Sequence, residues 1–185
     1  VSLKYHSPKC KIQLVHSPNA ISRLDARQRR YFNEFTSMDR SDYVAKDQSL
    51  DPAKAKLSLY KYLAFNECFI LDVDSVCIQD IEPLWNQCKS LKKDYLIQVV
   101  GEMEKGKDSP NMLWATAEDV WKHFKLGNLK KIPATNSSFQ FVRKSYKAKK
   151  YFDLALELLE NPIPKHRYEW TPGKAEPDEL YTNIA

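Results

Sequence analysis

Residues 69–76 constrain this chain more than any other segment, because an apolar run leads directly into two aspartates separated by one residue. In a β-strand alternate side chains share a face, so Asp72 and Asp74 point to one side and Val73 to the other. Unpaired carboxylates at the end of a core strand are costly and need a counter-ion. Hard oxygen ligands at this spacing suit Mg²⁺ or Mn²⁺, which usually also hold substrate phosphates. The pair therefore predicts a divalent-cation site at the end of a buried strand.

The composition indicates one folded domain over residues 1–185, with 43% hydrophobic and 29% charged residues. No apolar run approaches the roughly 20 residues that a membrane-spanning helix needs, and the first residues lack the apolar segment of a secretion signal. The four cysteines, at positions 10, 68, 77 and 88, show no CxxC spacing. We expect free thiols in a reducing, cytoplasmic setting rather than disulfides or a zinc site.

The net charge of +5 is modest, but the basic residues are clustered. The clusters are Arg23, Arg27, Arg29 and Arg30; Lys130 and Lys131; and Arg143, Lys144, Lys147, Lys149 and Lys150. One interpretation is that they form solvated helix faces. The other is that they attract a polyanion, either a nucleotide diphosphate or a nucleic acid, although no nucleic-acid-binding motif is present.

Hydrophobic periodicity predicts strands that alternate with helices along the chain. The predicted strands cover residues 11–15, 68–73, 95–100 and 138–142. The predicted helices cover residues 21–35, 52–65, 116–127 and 145–161, with a short final segment from Asp178. Residues 39–48 and 102–111 are polar and are predicted to be loops. This alternation is typical of an α/β fold in which helices cover both faces of a sheet and ligands bind at the carboxyl ends of strands.

The surroundings of the aspartate pair carry a family resemblance. A helix bearing Lys56 precedes the apolar strand, and Asp72-Val73-Asp74 is followed by Asp80-Ile81-Glu82-Pro83-Leu84-Trp85. This order resembles the metal-binding core of GT-A glycosyltransferases, and it is most similar to the glycogenin-like and bacterial galactosyltransferases of glycosyltransferase family 8. The resemblance implies a single GT-A (Rossmann-like) domain with a mostly parallel sheet.

Two later segments resemble further parts of that family. Asn136-Ser137-Ser138 resembles the Asn-x-Gly segment that helps to hold the donor sugar, and Asp178-Glu179-Leu180 resembles the acidic segment that faces the sugar and the acceptor. The family's first strand would fall before Val1, and its third metal ligand, a histidine, would fall beyond Ala185. We therefore expect this chain to lack the family's first strand and its C-terminal segment.

The resemblance implies metal-dependent transfer of a sugar from a nucleotide-diphosphate sugar, specifically a UDP-sugar, to a hydroxyl group. Asp72 and Asp74 would hold Mn²⁺ or Mg²⁺. The residues implied for donor binding are Lys56, Asp72, Asn136 and Ser137. Asp178 and Glu179 would be the catalytic residues, acting as a base or positioning the acceptor. The acceptor would be a saccharide, a lipid-linked glycan or DNA that carries a hydroxylated base, and Trp170 is a candidate for stacking on a sugar.

Two other functions remain open from the sequence. The apolar strand followed by Asp-x-Asp also fits the first motif of haloacid-dehalogenase-type phosphohydrolases. There Asp72 would be the phosphoryl nucleophile and Asp74 a general acid, with Mg²⁺ beside them. Against this, a strand and two helices are predicted before the motif, and no convincing later lysine and paired aspartates follow. The second alternative is a glycosyltransferase-like domain that binds a partner without catalysis.

Overall fold

The computed structural model describes residues 1–107, 115–163 and 178–185. The helices in these ranges are α1 (Ser2–His6), α2 (Ala26–Arg29), α3 (Pro52–Ser58), α4 (Glu82–Ser90), α5 (Ala117–His123), α6 (Tyr146–Leu159) and α7 (Asp178–Ile184). The strands are β1 (Gln13–His16), β2 (Glu34–Ser37), β3 (Glu67–Leu71), β4 (Tyr95–Glu104) and β5 (Lys131–Arg143). Short 3₁₀ turns lie at Ile21–Arg23, Arg40–Asp42 and Leu59–Tyr62. None of the described helices is long and apolar enough to cross a bilayer.

The described strands form two small sheets. β1 and β2 pair in parallel, whereas β5 lies between β3 and β4 and runs antiparallel to both. The prediction of a mixed α/β fold is confirmed, but a mostly parallel sheet is not. Alternation of strands and helices does not determine strand direction, because a connection that returns the chain to the opposite end of a sheet produces an antiparallel neighbour.

Several predicted elements have other bounds in the structure. The helix predicted over residues 52–65 ends at Ser58 and is followed by a 3₁₀ turn over Leu59–Tyr62. The strand predicted over residues 68–73 ends at Leu71, and the strand predicted over residues 138–142 begins at Lys131.

Two other predictions differ from the structure in the type of element. The helix predicted over residues 21–35 is wrong, because the α2 helix is only four residues long and β2 follows it. Asp25 and Gln28 form a reciprocal cap that starts α2 locally, while parallel pairing with β1 takes residues 34–37 into a strand. The loop predicted from residue 102 also begins too early, because β4 stays paired with β5 as far as Glu104.

The predicted helix starts are confirmed where a side chain caps the first turn. Asp51 accepts from the backbone N–H of Lys54 at 2.9 Å, and Pro52 occupies the first position of α3. Thr116 caps α5 in the same way, accepting from Asp119 N–H at 3.2 Å. Local side-chain chemistry therefore determines where these helices begin, and α3 in particular carries Lys56 towards the sheet.

The core forms where α7 packs on β5 and where α3, α6 and α7 contact one another. Phe141 and Val142 of β5 are fully buried, as is Tyr181 of α7. One apolar cluster joins α3 and α7 to α5 and to one half of β5, and a second joins β3 to α6. This packing brings residues from positions 56, 72, 137 and 178 towards one point, at the end of β3.

Candidate functional site

The ammonium group of Lys56 is the centre of the candidate site. It lies 2.9 Å from Asp72 Oδ1, 3.1 Å from Asp72 Oδ2 and 3.2 Å from Asp178 Oδ2. It also donates a hydrogen bond of 2.9 Å to Ser137 Oγ. Only 15% of the Lys56 side chain is exposed, so these contacts are largely shielded from solvent.

Ser137 links the lysine to the acidic residues of α7. Its hydroxyl oxygen lies 2.6 Å from Asp178 Oδ2 and 3.2 Å from Glu179 Oε1, and its side chain is fully buried. A hydroxyl has a single proton, so Ser137 donates to one of these carboxylates at a time while it accepts from Lys56. The shorter distance favours Asp178.

Each of these residues is held by a regular element. Asp72 follows β3 directly, and its N–H donates to Ser138 O at 3.1 Å, which extends the pairing between β3 and β5. Ser137 occupies an inward position of β5, and Asp178 and Glu179 open α7. A site built on a helix, two strands and a second helix keeps its side chains in fixed positions.

The cluster contains more negative than positive charge. One ammonium group faces the carboxyl groups of Asp72, Asp178 and Glu179. Burial lowers the pKa of Lys56, but the charges of Asp178 and Asp72 outweigh burial and raise that pKa above its usual value, so the lysine stays charged. Burial, and then the charge of Asp178, raise the pKa of Glu179. The site therefore favours a cation over an anion at its acidic side.

A buried polar network supports the site from behind. Gln140 Nε2 donates to Ser137 O at 2.8 Å, and Tyr95 OH donates towards Gln140 Oε1 at 3.1 Å. Tyr95 OH also lies 3.1 Å from Tyr151 OH, which donates to Thr182 O of α7 at 3.0 Å. Burial raises the pKa of Tyr151 to about 12, so its hydroxyl stays protonated and can donate. These side chains tie β5 and α7, which carry Ser137 and the two acidic residues, to each other.

Sequence reasoning missed the network, although one signal was present. Gln140 is a polar residue within the apolar strand 138–142, and it is 1% exposed. A buried amide almost always has hydrogen-bonding partners. The sequence could therefore have indicated that partners existed, but not that one of them is Tyr95, 45 residues earlier in the chain, or that Tyr95 in turn contacts Tyr151.

Two predicted site residues lie outside the cluster. Asp74 is exposed and has no hydrogen bond or ion pair to any residue in the described parts of the chain, and Val73 beside it is fully exposed. Asn136 uses its side-chain oxygen locally, because Asn136 Oδ1 accepts from Ser138 N–H at 2.9 Å. The five predicted residues that do meet are Lys56, Asp72, Ser137, Asp178 and Glu179.

The tryptophan hypothesis cannot be placed on the structure, because Trp170 lies outside the described residues. All four cysteines carry free thiols. Within residues 1–107, 115–163 and 178–185, no three side chains of His, Cys, Asp or Glu are grouped so that they could hold a metal ion on their own. A cation held only by the described residues would therefore need additional oxygen ligands, which water or a substrate can supply.

The sequence matches no protein-family model and no curated protein. The functional conclusion consequently depends on the geometry of the cluster and on the residue pattern around the aspartate pair.

Another ion pair of the chain, between Lys61 Nζ and Asp42 Oδ1 at 2.8 Å, lies away from the candidate site and serves as a comparison. It joins two 3₁₀ turns, with Tyr62 OH donating to Asp42 Oδ2 at 2.6 Å, and includes none of the predicted site residues.

Proposed function

We propose that this chain is a metal-dependent glycosyltransferase that transfers a sugar from a nucleotide-diphosphate sugar, with a UDP-sugar as donor, to a hydroxyl acceptor. The observation that carries the proposal is the contact of Lys56 with Asp72, Ser137 and Asp178. These residues come from the separate segments whose sequences resemble the donor-binding and acceptor-facing parts of family 8 enzymes. The proposal includes a GT-A-like domain. The five strands of the described residues contain one parallel pair and two antiparallel pairs, so a mostly parallel sheet would need further strands.

The donor atoms of Asp72 and Asp74 fit Mn²⁺ or Mg²⁺. Both are carboxylates, and cations of this kind are commonly held by one or two carboxylates, with waters and substrate phosphates completing the coordination. This agrees with a site that has fewer than three protein ligands among the described residues. When bound, the cation offsets the negative charge that the diphosphate gains as it leaves the sugar.

Lys56 and Ser137 would act on the donor. A lysine held in the charged form is suited to a phosphate or to a sugar hydroxyl, and Ser137 fixes its position through the 2.9 Å hydrogen bond. Asn136 would contribute through the turn that its side chain forms with Ser138. These residues orient the donor, and none of them needs to exchange a proton with it.

Asp178 and Glu179 would face the acceptor hydroxyl. The Asp178 carboxylate, held by Lys56 and Ser137, can position that hydroxyl or stabilise positive charge on the sugar. Glu179, whose pKa is raised by burial and by Asp178, can accept a proton more readily than an ordinary glutamate. The proposed acceptors are a saccharide, a lipid-linked glycan or DNA with a hydroxylated base, and the proposed location is the cytoplasm.

Thermal protection tests this proposal without knowledge of the acceptor. The melting temperature of the chain is measured with Mn²⁺ alone, with nucleotide sugars alone and with both together. We expect a UDP-sugar to raise the melting temperature only when Mn²⁺ is present, and we expect Asp74→Asn to remove this effect. Asp153→Asn is the matched control, because Asp153 is an exposed aspartate of α6 that forms an ion pair with Lys149.

The same samples separate the other two functions. Release of inorganic phosphate from phosphate esters, with a covalent phosphate on Asp72, would support the phosphohydrolase and overturn sugar transfer. Protection by nucleotide sugars with no release of sugar in any condition would support the binding-only domain. Lys56 contacts both carboxylate oxygens of Asp72. An aspartate held in this way is less suited to act as a nucleophile than as a charged ligand.

A further inference from the structure

The end of the antiparallel sheet that lies opposite the acidic site carries a concentrated positive charge. It is formed by segments 66–67, 89–94 and 143–147, where β3 and β4 begin and β5 ends. We call this surface the basic end; its cationic residues are Lys89, Lys92, Lys93, Arg143, Lys144 and Lys147. The same segments contain two acidic residues, Glu67 and Asp94. The basic end therefore has four more basic than acidic residues, against an excess of five in the whole chain.

Backbone and side-chain contacts hold the three segments together. Arg143 N–H donates to Asp94 O at 2.8 Å, and its guanidinium group donates to Lys93 O at 3.2 Å. Lys144 N–H donates to Asn66 O at 2.7 Å. The charges lie on helix ends and connecting segments that these contacts hold against the ends of the paired strands, so they act as one surface.

Glu67 offsets only part of the positive charge of the basic end. Its two carboxylate oxygens are occupied by Arg143 Nε at 2.8 Å and by Lys89 Nζ at 3.2 Å. These contacts leave the side chains of Lys92, Lys93, Lys144 and Lys147 exposed. Four exposed lysines whose backbone is held in place can contact several phosphates spaced along a polyanionic chain.

An exposed aromatic ring lies within the same surface. Tyr146 opens α6 between Lys144 and Lys147, and 80% of it is exposed. Aromatic rings beside basic side chains are the usual platforms on which the bases of single-stranded nucleic acids stack. The N-terminus of the 14-residue α6 adds its own partial positive charge at this point.

We propose that the basic end binds single-stranded nucleic acid, with lysines contacting phosphates and Tyr146 stacking on a base. A nucleic acid fits better than a membrane surface, because the basic end exposes a single aliphatic side chain, Leu91, whereas Val73, Val76 and Ile78 are exposed after the opposite end of β3. The surface is separated from Asp72 by the five residues of β3, about 16 Å at the usual rise per residue. Binding at the basic end therefore does not depend on the proposed sugar transfer.

Fluorescence anisotropy with a labelled single-stranded DNA of mixed sequence, about 20 nucleotides long, tests this inference. We expect binding that weakens steeply between about 50 mM and about 200 mM NaCl. Lys144→Glu together with Lys147→Glu should weaken binding at least about tenfold and reduce the salt slope by about 1.4. Tyr146→Ala should weaken binding several-fold without changing the slope. Unchanged melting temperatures show that the variants are folded, and Lys92→Glu with Lys93→Glu repeats the test at a second position.

The matched control is Arg23→Glu together with Arg27→Glu. Both arginines are exposed and lie outside the basic end, and the pair changes the net charge by the same amount. We expect this control to weaken binding less than about threefold. Three results would overturn the proposal. They are an equal loss of DNA affinity in the Lys144→Glu/Lys147→Glu variant and in the arginine control, no binding of DNA at low salt, or binding to phosphatidylserine vesicles without binding to DNA.

Discussion

The ammonium group of Lys56 contacts both carboxylate oxygens of Asp72, at 2.9 Å and 3.1 Å. The two residues come from α3 and from the end of β3, and the same ammonium group reaches Asp178 at 3.2 Å. One side chain thus forms ion pairs with carboxylates from two separate segments. A divalent cation that used Asp72 would have to share this carboxylate with Lys56 or take its place.

Loss of the Lys56 charge should destabilise the fold, and Mn²⁺ should compensate in part. Lys56→Met leaves Asp72 and Asp178 close together without their counter-ion, which we expect to lower the free energy of unfolding by about 2 kcal/mol. Because Mn²⁺ would replace the missing positive charge, it should raise the melting temperature of Lys56→Met more than that of the unchanged chain.

The control for this prediction is Lys61→Met, which breaks the ion pair with Asp42 away from the site. Mn²⁺ should raise the melting temperature of Lys61→Met no more than it raises that of the unchanged chain. An equal effect of Mn²⁺ on both lysine variants would contradict a role for Lys56 as the counter-ion of a cation site.

Removal of the Ser137 hydroxyl should lower the free energy of unfolding more than removal of the Ser138 hydroxyl. Ser137→Ala deletes a fully buried group that accepts from Lys56 and donates to Asp178. We expect a loss of about 1 to 2 kcal/mol in urea unfolding. Ser138→Ala is the matched control: its hydroxyl makes no hydrogen bond within the described residues, so its effect should be under about 0.5 kcal/mol.

Glu179 should make stability fall as the pH rises above the ordinary glutamate range. Burial and the charge of Asp178 raise its pKa in the folded state, so in that window the folded state binds more protons than the unfolded state. Stability therefore decreases from about pH 4.3 upward to the raised pKa of Glu179. Urea unfolding at several pH values measures this slope. Glu179→Gln should reduce the slope, and an identical slope in that variant would exclude Glu179 as its source.

The buried tyrosine hydroxyl of α6 should contribute to stability, whereas the exposed one should not. Tyr151→Phe removes the hydroxyl that donates to Thr182 O and lies beside Tyr95 OH, which should cost about 1 to 2 kcal/mol. Tyr146→Phe removes the same group from an exposed tyrosine of the same helix, and its melting temperature should stay unchanged. Similar melting temperatures for both variants would show that the buried hydroxyl contributes nothing.

Local chemistry made part of the fold predictable. Asp51 and Thr116 carry the side-chain oxygens that cap α3 and α5, so the starts of those helices could be identified from sequence. The direction of β5 could not, because pairing between distant strands depends on the whole chain. The helix predicted over residues 21–35 failed for the same reason, since β1 draws residues 34–37 into a strand.

The candidate site was predictable in its residue types but not in its contacts. Asp72, Asp178 and Lys56 were identified from segments that resemble a known family, whereas the bridging position of Lys56 depends on how α7 packs on β5 and how α3 packs on α7. Gln140 and Tyr95 were missed because their partners are distant in sequence. Asp74 follows the strand into a turn, so strand periodicity could not place its side chain beside that of Asp72.

Release of UDP from a UDP-sugar is the most direct measurement of the proposed activity. The chain is incubated with Mn²⁺ and a panel of UDP-sugars, and free UDP is measured for the unchanged chain, for Asp74→Asn and for Asp153→Asn. We expect release for the unchanged chain and for Asp153→Asn, and at least about a hundredfold less for Asp74→Asn. Release that is unaffected by Asp74→Asn, or phosphate-ester hydrolysis through Asp72 in place of UDP release, would contradict sugar transfer at this site.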